Sequence, residues 1–227
     1  MKKNRFYSEA AYLLGLVILA VGTVFMEKAD LGMSMVVAPA YLVYLKLSAF
    51  WPWFTFGMAE YCLQAVLILL LTLVLRRFKR KFLFSFVTAV LYGLILDAMM
   101  AVFSFLPTPG LAVRIVYFVF GMGIGSVGVS LLFHTYIAPE AYELFVKELS
   151  SKYGWDIHKV KTVYDCCSCL LAVILSFLFM GFMRFEGVKA GTVVCALLNG
   201  FIIGKCSGFF EKRFDFRDAW PLRKYFD

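Results

Sequence analysis

Charged side chains are scarce in this sequence: Asp, Glu, Lys and Arg make up 17% of its 227 residues. Apolar residues make up 62%, against the ~45–50% usual in soluble domains, and the mean hydropathy is +0.82. A soluble fold would have too little polar surface to cover such a core. Histidine occurs twice, at His134 and His158. There is no His-Glu-x-x-His, no Gly-x-Ser-x-Gly and no pair of aspartates in a catalytic motif. Hydrolytic or lipid-transferring membrane enzymes need such a nucleophile–base pair or metal motif, so an enzyme is not expected. No cofactor is expected either. The glycines of Gly121–Gly128 lie inside an apolar run, with no strand before them to make a phosphate loop. All six cysteines (Cys62, Cys166, Cys167, Cys169, Cys195, Cys206) fall within apolar runs, which argues against a disulfide framework. On a helix Cys166 and Cys169 share a face and Cys167 points away, so small packing residues are favoured over a metal site.

What the sequence does have is long apolar runs, and the spacing predicts six spanning helices: 8–26, 55–75, 82–106, 111–133, 163–183 and 191–210. Each meets the ~20 residues that a bilayer core demands. The basic start Lys2, Lys3, Arg5 followed by an apolar run has the look of a secretion signal. That run, however, ends in Glu27-Lys-Ala-Asp30 without a small-residue cleavage pattern, and reads as a retained helix. Gly121, Gly123, Gly125 and Gly128 would let a neighbouring helix approach closely.

Two stretches do not fit a simple span. Residues 31–50 are apolar, but Gly32 and Pro39 interrupt them and Lys46 sits near their end. They read as a re-entrant or interfacial segment, followed by the interfacial corner Trp51-Pro-Trp53. Segment 138–163 is amphipathic. Ala141, Leu144, Phe145 and Leu149 form its apolar face, while Glu140, Glu143, Lys147 and Glu148 are expected on a solvated one. Pro139 suits its first turn, and the helix is expected to lie in the interface plane, with a second short helix, 156–164, behind it.

The net charge of +8 could suggest nucleic acid, but the basic residues cluster between apolar runs, most densely at Arg76–Lys81, which is a membrane pattern. If 31–50 spanned the bilayer, that cluster would lie opposite Lys2, Lys3 and Arg5. If it does not span, the N-terminus, Arg76–Lys81, Lys147–Lys161 and the tail share the cytoplasmic side. Six spans with both termini cytoplasmic follow.

At an offset of about 105 residues the two halves share a pattern of span, broken segment, acid-bearing span, span. Glu60 falls on Asp165, and Tyr92-Gly93 and Asp97 fall near Asn199-Gly200 and Lys205. Three spans per half makes the halves inverted. The expected fold is therefore all-α: a polytopic membrane protein of six transmembrane helices in two inverted three-helix repeats with re-entrant or interfacial segments. Residues 1–106 form one repeat, 107–210 the other, and 211–227 a cytoplasmic tail.

Ala29-Asp-Leu-Gly-Met-Ser34, the half-way counterpart ending in Ala138-Pro139, and Gly191–Gly200 carry a family resemblance. In these the chain resembles the YczE/YitT-like bacterial integral membrane proteins. That likeness implies a multi-pass protein of the bacterial cytoplasmic membrane and no particular substrate.

Ionisable groups inside spans are default functional candidates because an unpaired one costs several kcal/mol. These are Glu60, Asp97, Asp165 and Lys205, each with a bland alternative. Asp165 and Lys205 lie near helix ends, and Asp97 has Lys205 available as a structural ion pair. In the functional reading Glu60 and Asp165 line a shared cavity. Gln64 and Asn199 add neutral hydrogen bonds, and Ser34 and Tyr92 are weaker candidates. Inverted repeats with broken segments mark many secondary transporters, with a midplane site. The expected function is a small secondary transporter or exporter of a small organic solute, proton coupling included among its candidate drives. The alternative is a non-catalytic accessory or scaffold that binds a partner protein or lipid. The expected partners are the lipid bilayer, an unidentified small-molecule substrate and, as a candidate, a second copy of the chain. Nucleic acid is not among them.

Overall fold

The computed structural model describes residues 4–107, 110–155, 157–181 and 188–219. Eight helices are present among them: α1 (Ser8–Ala29), α2 (Ala38–Ser48), α3 (Phe56–Leu75), α4 (Arg80–Val102), α5 (Gly110–Phe133), α6 (Ala141–Tyr153), α7 (Ile157–Met180) and α8 (Ala190–Arg213). Six of them, α1, α3, α4, α5, α7 and α8, are long and apolar enough to cross a membrane. The protein is an all-α, multi-pass membrane protein.

The two helices that are too short are the ones expected to be irregular. Gly32 adopts φ +118°, which only glycine reaches without strain, and α2 begins only after this break, with Pro39 in its first turn. Its 11 residues rise about 16 Å, half of what a span needs. Segment 156–164 is no separate helix. From Ile157 on, its residues continue into one helix through Met180, because no glycine or proline interrupts the run. The helix end at 183, the turn 184–187 and residues 108 and 109 of the turn 107–110 lie outside the described residues.

The centre of the bundle is the contact between α1 and α5. A Cβ on Gly22 would sit 2.7 Å from the backbone of Gly125, and one on Gly128 would sit 2.6 Å from the Leu19 nitrogen. The small residues thus bring two backbones together, as their spacing predicts. Around this pair α1 also packs on α4, and α5 on α8; α2 packs on α3 and α7, and α6 on α3 and α7.

Two short strands tie the termini: β1 (Asn4–Tyr7) pairs in parallel with β2 (Phe214–Arg217). Asn4 stands opposite Phe214, and the Phe6 ring meets Phe214 and Phe216 edge-on. Both ends of the chain therefore lie at one end of the bundle. At the opposite end Arg114 donates to the Ala29 carbonyl (2.7 Å) and to the Asp30 carboxylate (2.7 Å), and Lys189 also pairs with Asp30. This clasp joins the tops of α1, α5 and α8.

Candidate functional site

Glu60 and Gln64 stand one turn apart on α3 and so share a face. Both are completely buried, at 0% exposure. The surface they meet is the start of α6, reached by the chain segment 138–140. That segment is clamped by hydroxyls from α4. Ser85 donates to the Pro139 carbonyl (2.7 Å) and Thr88 to the Ala138 carbonyl (3.0 Å); Tyr12 from α1 donates to Thr88 (2.9 Å). Pro139 lies just ahead of the helix rather than within its first turn, with Glu140 as N-cap residue. The Glu140 side chain does not cap the helix. Instead the orphan N–H of Ala141 donates to Gln64 Oε1 (3.0 Å), so a side chain from another helix supplies the missing acceptor.

The depth of this junction follows from helix rise. Gln64 is eleven residues, about 16 Å, from Leu75 at the end of the bundle that holds the termini. At the other end of α6, Lys152 donates to the Val74 carbonyl (2.6 Å), one residue from that same end. The helix therefore runs from mid-depth back to the end of the bundle, as a half-helix. It does not lie flat across the interface, and its acidic side is not solvated. Glu140 and Glu148 are buried at 7% and 4% exposure. The amphipathic pattern misassigns them because the polar side of α6 faces polar residues of α3 and α4 and the basic α3–α4 loop.

The resulting cluster holds two carboxylates. Tyr142 donates to Glu60 Oε1 (2.7 Å). Gln64 Nε2 lies 3.5 Å from Glu60 Oε1 and 3.5 Å from Glu140 Oε2, bridging the two acids. Glu60 Oε2 and Glu140 Oε1 are buried with no hydrogen-bond partner among the described residues. Burial, then the charges of Glu143 and Glu60, pushes the Glu140 carboxyl well above its ordinary value. Among the described residues no basic side chain bonds to either acid. Lys161 bonds to Asp165 (3.1 Å), and Lys79 and Lys81, at the end of the bundle, pair with Glu148. Two buried carboxylates without a cationic partner cost several kcal/mol each. What this arrangement can do chemically is take up a proton, or another single positive charge, between Glu60 and Glu140.

The family model described as a family of unknown function, DUF6198, matches residues 6–208. The chain belongs to DUF6198. No curated protein and no solved structure matches this DUF6198 protein.

The other candidates are dispersed in this DUF6198 fold. Asp97 caps α3, accepting from the Gly57 N–H (2.8 Å) and the Thr55 hydroxyl (2.6 Å). Lys205 is exposed on α8 with its ammonium 5.3 Å from the Phe201 ring centre. The Asp97–Lys205 ion pair, the structural alternative for these two residues, does not form, because Asp97 is spent at a helix start. Asp165 bonds to Lys161 on its own helix and not to Glu60. Asn199 accepts from Ser126 (2.6 Å) between α5 and α8. Ser34 turns the chain into α2 through its carbonyl, which accepts from Val37 and Ala38. Tyr92 is buried at 1% exposure and shares a hydrogen bond with Thr23 (2.8 Å), within electrostatic reach of Glu60 and Glu140. The structure thus joins Glu60 and Gln64, with Tyr92 nearby, and adds Glu140 and Tyr142. The signal for Glu140 was its position after Pro139, where a helix starts with an acid that has no solvent of its own.

Proposed function

We propose that this chain is a small secondary transporter or exporter of a small organic solute, driven by proton movement through the Glu60–Gln64–Glu140 cluster. The observation that carries the reading is a pair of buried carboxylates, each with an unpartnered oxygen, at the mid-depth tip of a half-helix. Such half-helix ends at the bilayer centre are where many transporters place their sites. Protonation would neutralise the acids while the site changes its access, and release would follow when water reaches them.

The packing supports two inverted repeats, α1–α4 and α5–α8. The α1–α4 contact is matched by α5–α8, α2–α3 by α6–α7, and α2–α7 by α6–α3, while α1 meets its counterpart α5. The basic residues Arg76, Arg77, Lys79, Arg80 and Lys81 gather at the end that holds the termini, which favours a cytoplasmic placement of both. The YczE/YitT-like resemblance adds the bacterial cytoplasmic membrane to this reading. Its competitor is a non-catalytic scaffold, which would have no use for two acids buried in this way.

The test is flux. Purified protein in proteoliposomes loaded with a pH-sensitive dye is challenged with panels of small organic cations, anions and zwitterions. Solute-dependent proton movement that is lost in Glu60→Gln and Glu140→Gln, and kept in Lys205→Gln, is the expected result. Solute flux that persists in both acid variants overturns the coupling. Absence of flux, with recovery of a partner protein that survives Glu60→Gln, overturns transport in favour of the scaffold.

A further inference from the structure

A cavity opens at the end of the bundle that holds the termini, away from the acid pair. It has a volume of about 340 Å³ and is lined by Leu75, Arg77, Lys79, Glu148, Ser151 and Lys152. Three elements build it: the last turn of α3, the loop into α4, and the last turns of α6.

Its chemistry is unbalanced. Three cations face one carboxylate, and that carboxylate is shared with Lys81, which lies just beyond the cavity. Burial alone would raise the Glu148 carboxyl, but hydrogen bonds from Lys79 and Lys81 and their charges outweigh it and hold it below its ordinary value. Glu148 thus stays ionised and positions two lysines, without neutralising the rest. Lys152 spends one donor on the Val74 carbonyl (2.6 Å). The Arg77 guanidinium, with five donors, has no hydrogen-bond partner among the described residues. Ser151 contributes a hydroxyl to the wall.

The surroundings select the source of the anion. Leu73, Val74 and Phe78, chain neighbours of the lining residues Leu75, Arg77 and Lys79, are exposed at 71%, 42% and 63%. In a bilayer these side chains meet acyl chains, so the lipid that already lies against α3 brings its headgroup phosphate to the cations, whereas a free phosphate has no use for this wall. A diacyl lipid would use both.

We propose that this cavity binds the headgroup phosphate of an anionic phospholipid, with Arg77, Lys79 and Lys152 as its ligands and the acyl chains laid along Leu73, Val74 and Phe78. Basic pockets at the cytoplasmic end of helices suit such headgroups. A lipid held there bridges the α3–α4 loop to the C-terminal end of α6, the helix whose other end carries Glu140. The site stands whether or not the protein is a transporter.

Native mass spectrometry of the full-length protein tests it, with phosphatidylglycerol, phosphatidylcholine or inorganic phosphate added to the detergent solution. The wild type is expected to retain phosphatidylglycerol over phosphatidylcholine. Arg77→Gln with Lys152→Gln should weaken phosphatidylglycerol binding roughly thirtyfold. Lys212→Gln with Arg213→Gln, which removes the same charge at the end of α8, should leave it unchanged. Arg77→Gln alone, at an exposed side chain with no internal bond, serves if the double variant does not fold. Equal retention of both lipids, or equal loss in the α8 variant, overturns the site. Displacement of the lipid by millimolar inorganic phosphate overturns the lipid as its occupant.

Discussion

Replacing Gly22 by alanine should destabilise this protein more than the same change at Gly15, the other glycine of α1. The new Cβ would lie 2.7 Å from both the nitrogen and the Cα of Gly125, and 2.8 Å from the Gly121 carbonyl. All three are backbone atoms, so no side-chain rotation relieves the clash. A comfortable carbon contact is ~3.5 Å, so α1 and α5 must part by about 0.8 Å along their central line. A gap of that size forfeits roughly a quarter to a half of the dispersion energy of each contact it opens. Overpacking of this kind costs about 1–3 kcal/mol. For a chain of this length each kcal/mol corresponds to about 2–4 °C in Tm. The assay is thermal unfolding in detergent, followed by intrinsic fluorescence and checked by gel filtration. Gly200→Ala is the matched control, because a Cβ there meets nothing within 4 Å. The reasoning is refuted if Gly22→Ala melts with the wild type, or if Gly200→Ala falls as far.

Three further predictions rest on other parts of the structure. In single-cysteine variants of a cysteine-free background, Asp30→Cys and Pro52→Cys should both react with an impermeant maleimide from outside intact cells, and Arg77→Cys should not; labelling of position 30 without position 52 would make 31–50 a span. Asp97→Asn should lower stability by about 1 kcal/mol by weakening the start of α3, read as a fall in Tm that Lys205→Gln does not reproduce. The two glutamates of α6 should give opposite pH signatures. The Glu140 carboxyl is raised in the native protein, so the native state holds the extra proton and stability falls as pH climbs from the ordinary glutamate value towards the native one. The Glu148 carboxyl is lowered, so its contribution is present above the ordinary value and is lost as pH drops through the native one. Tm profiles of Glu140→Gln and Glu148→Gln against the wild type should therefore diverge at opposite ends of the pH range.

The spans were legible because bilayer length and apolar composition together leave few alternatives. So was the exclusion of 31–50, where Gly32 and Pro39 break an already short run. Glu60 and Gln64 stood out because polar groups in an apolar helix demand a reason. The partners of α3 did not. Amphipathic reasoning puts the polar face of a helix towards water, and α6 turns its acids towards Gln64, Lys79 and Lys81 instead. Asp97 stood out as an acid inside an apolar helix, but its bonding partners, Thr55 and the Gly57 N–H, belong to the start of α3, which the sequence of α4 alone does not show. The strand pairing of Asn4–Tyr7 with Phe214–Arg217 joins four-residue segments more than 200 residues apart, with only the Phe-Asp-Phe-Arg alternation to hint at it.

The account turns on a proton held between Glu60 and Glu140, and infrared spectroscopy sees it directly. A protonated carboxyl has a C=O stretch distinct from the bands of a carboxylate. In the reconstituted wild type such a band should persist through neutral pH and weaken in both Glu60→Gln and Glu140→Gln, while Asp165→Asn leaves it intact. A spectrum in which neither glutamate variant changes the protonated-carboxyl band would contradict the account.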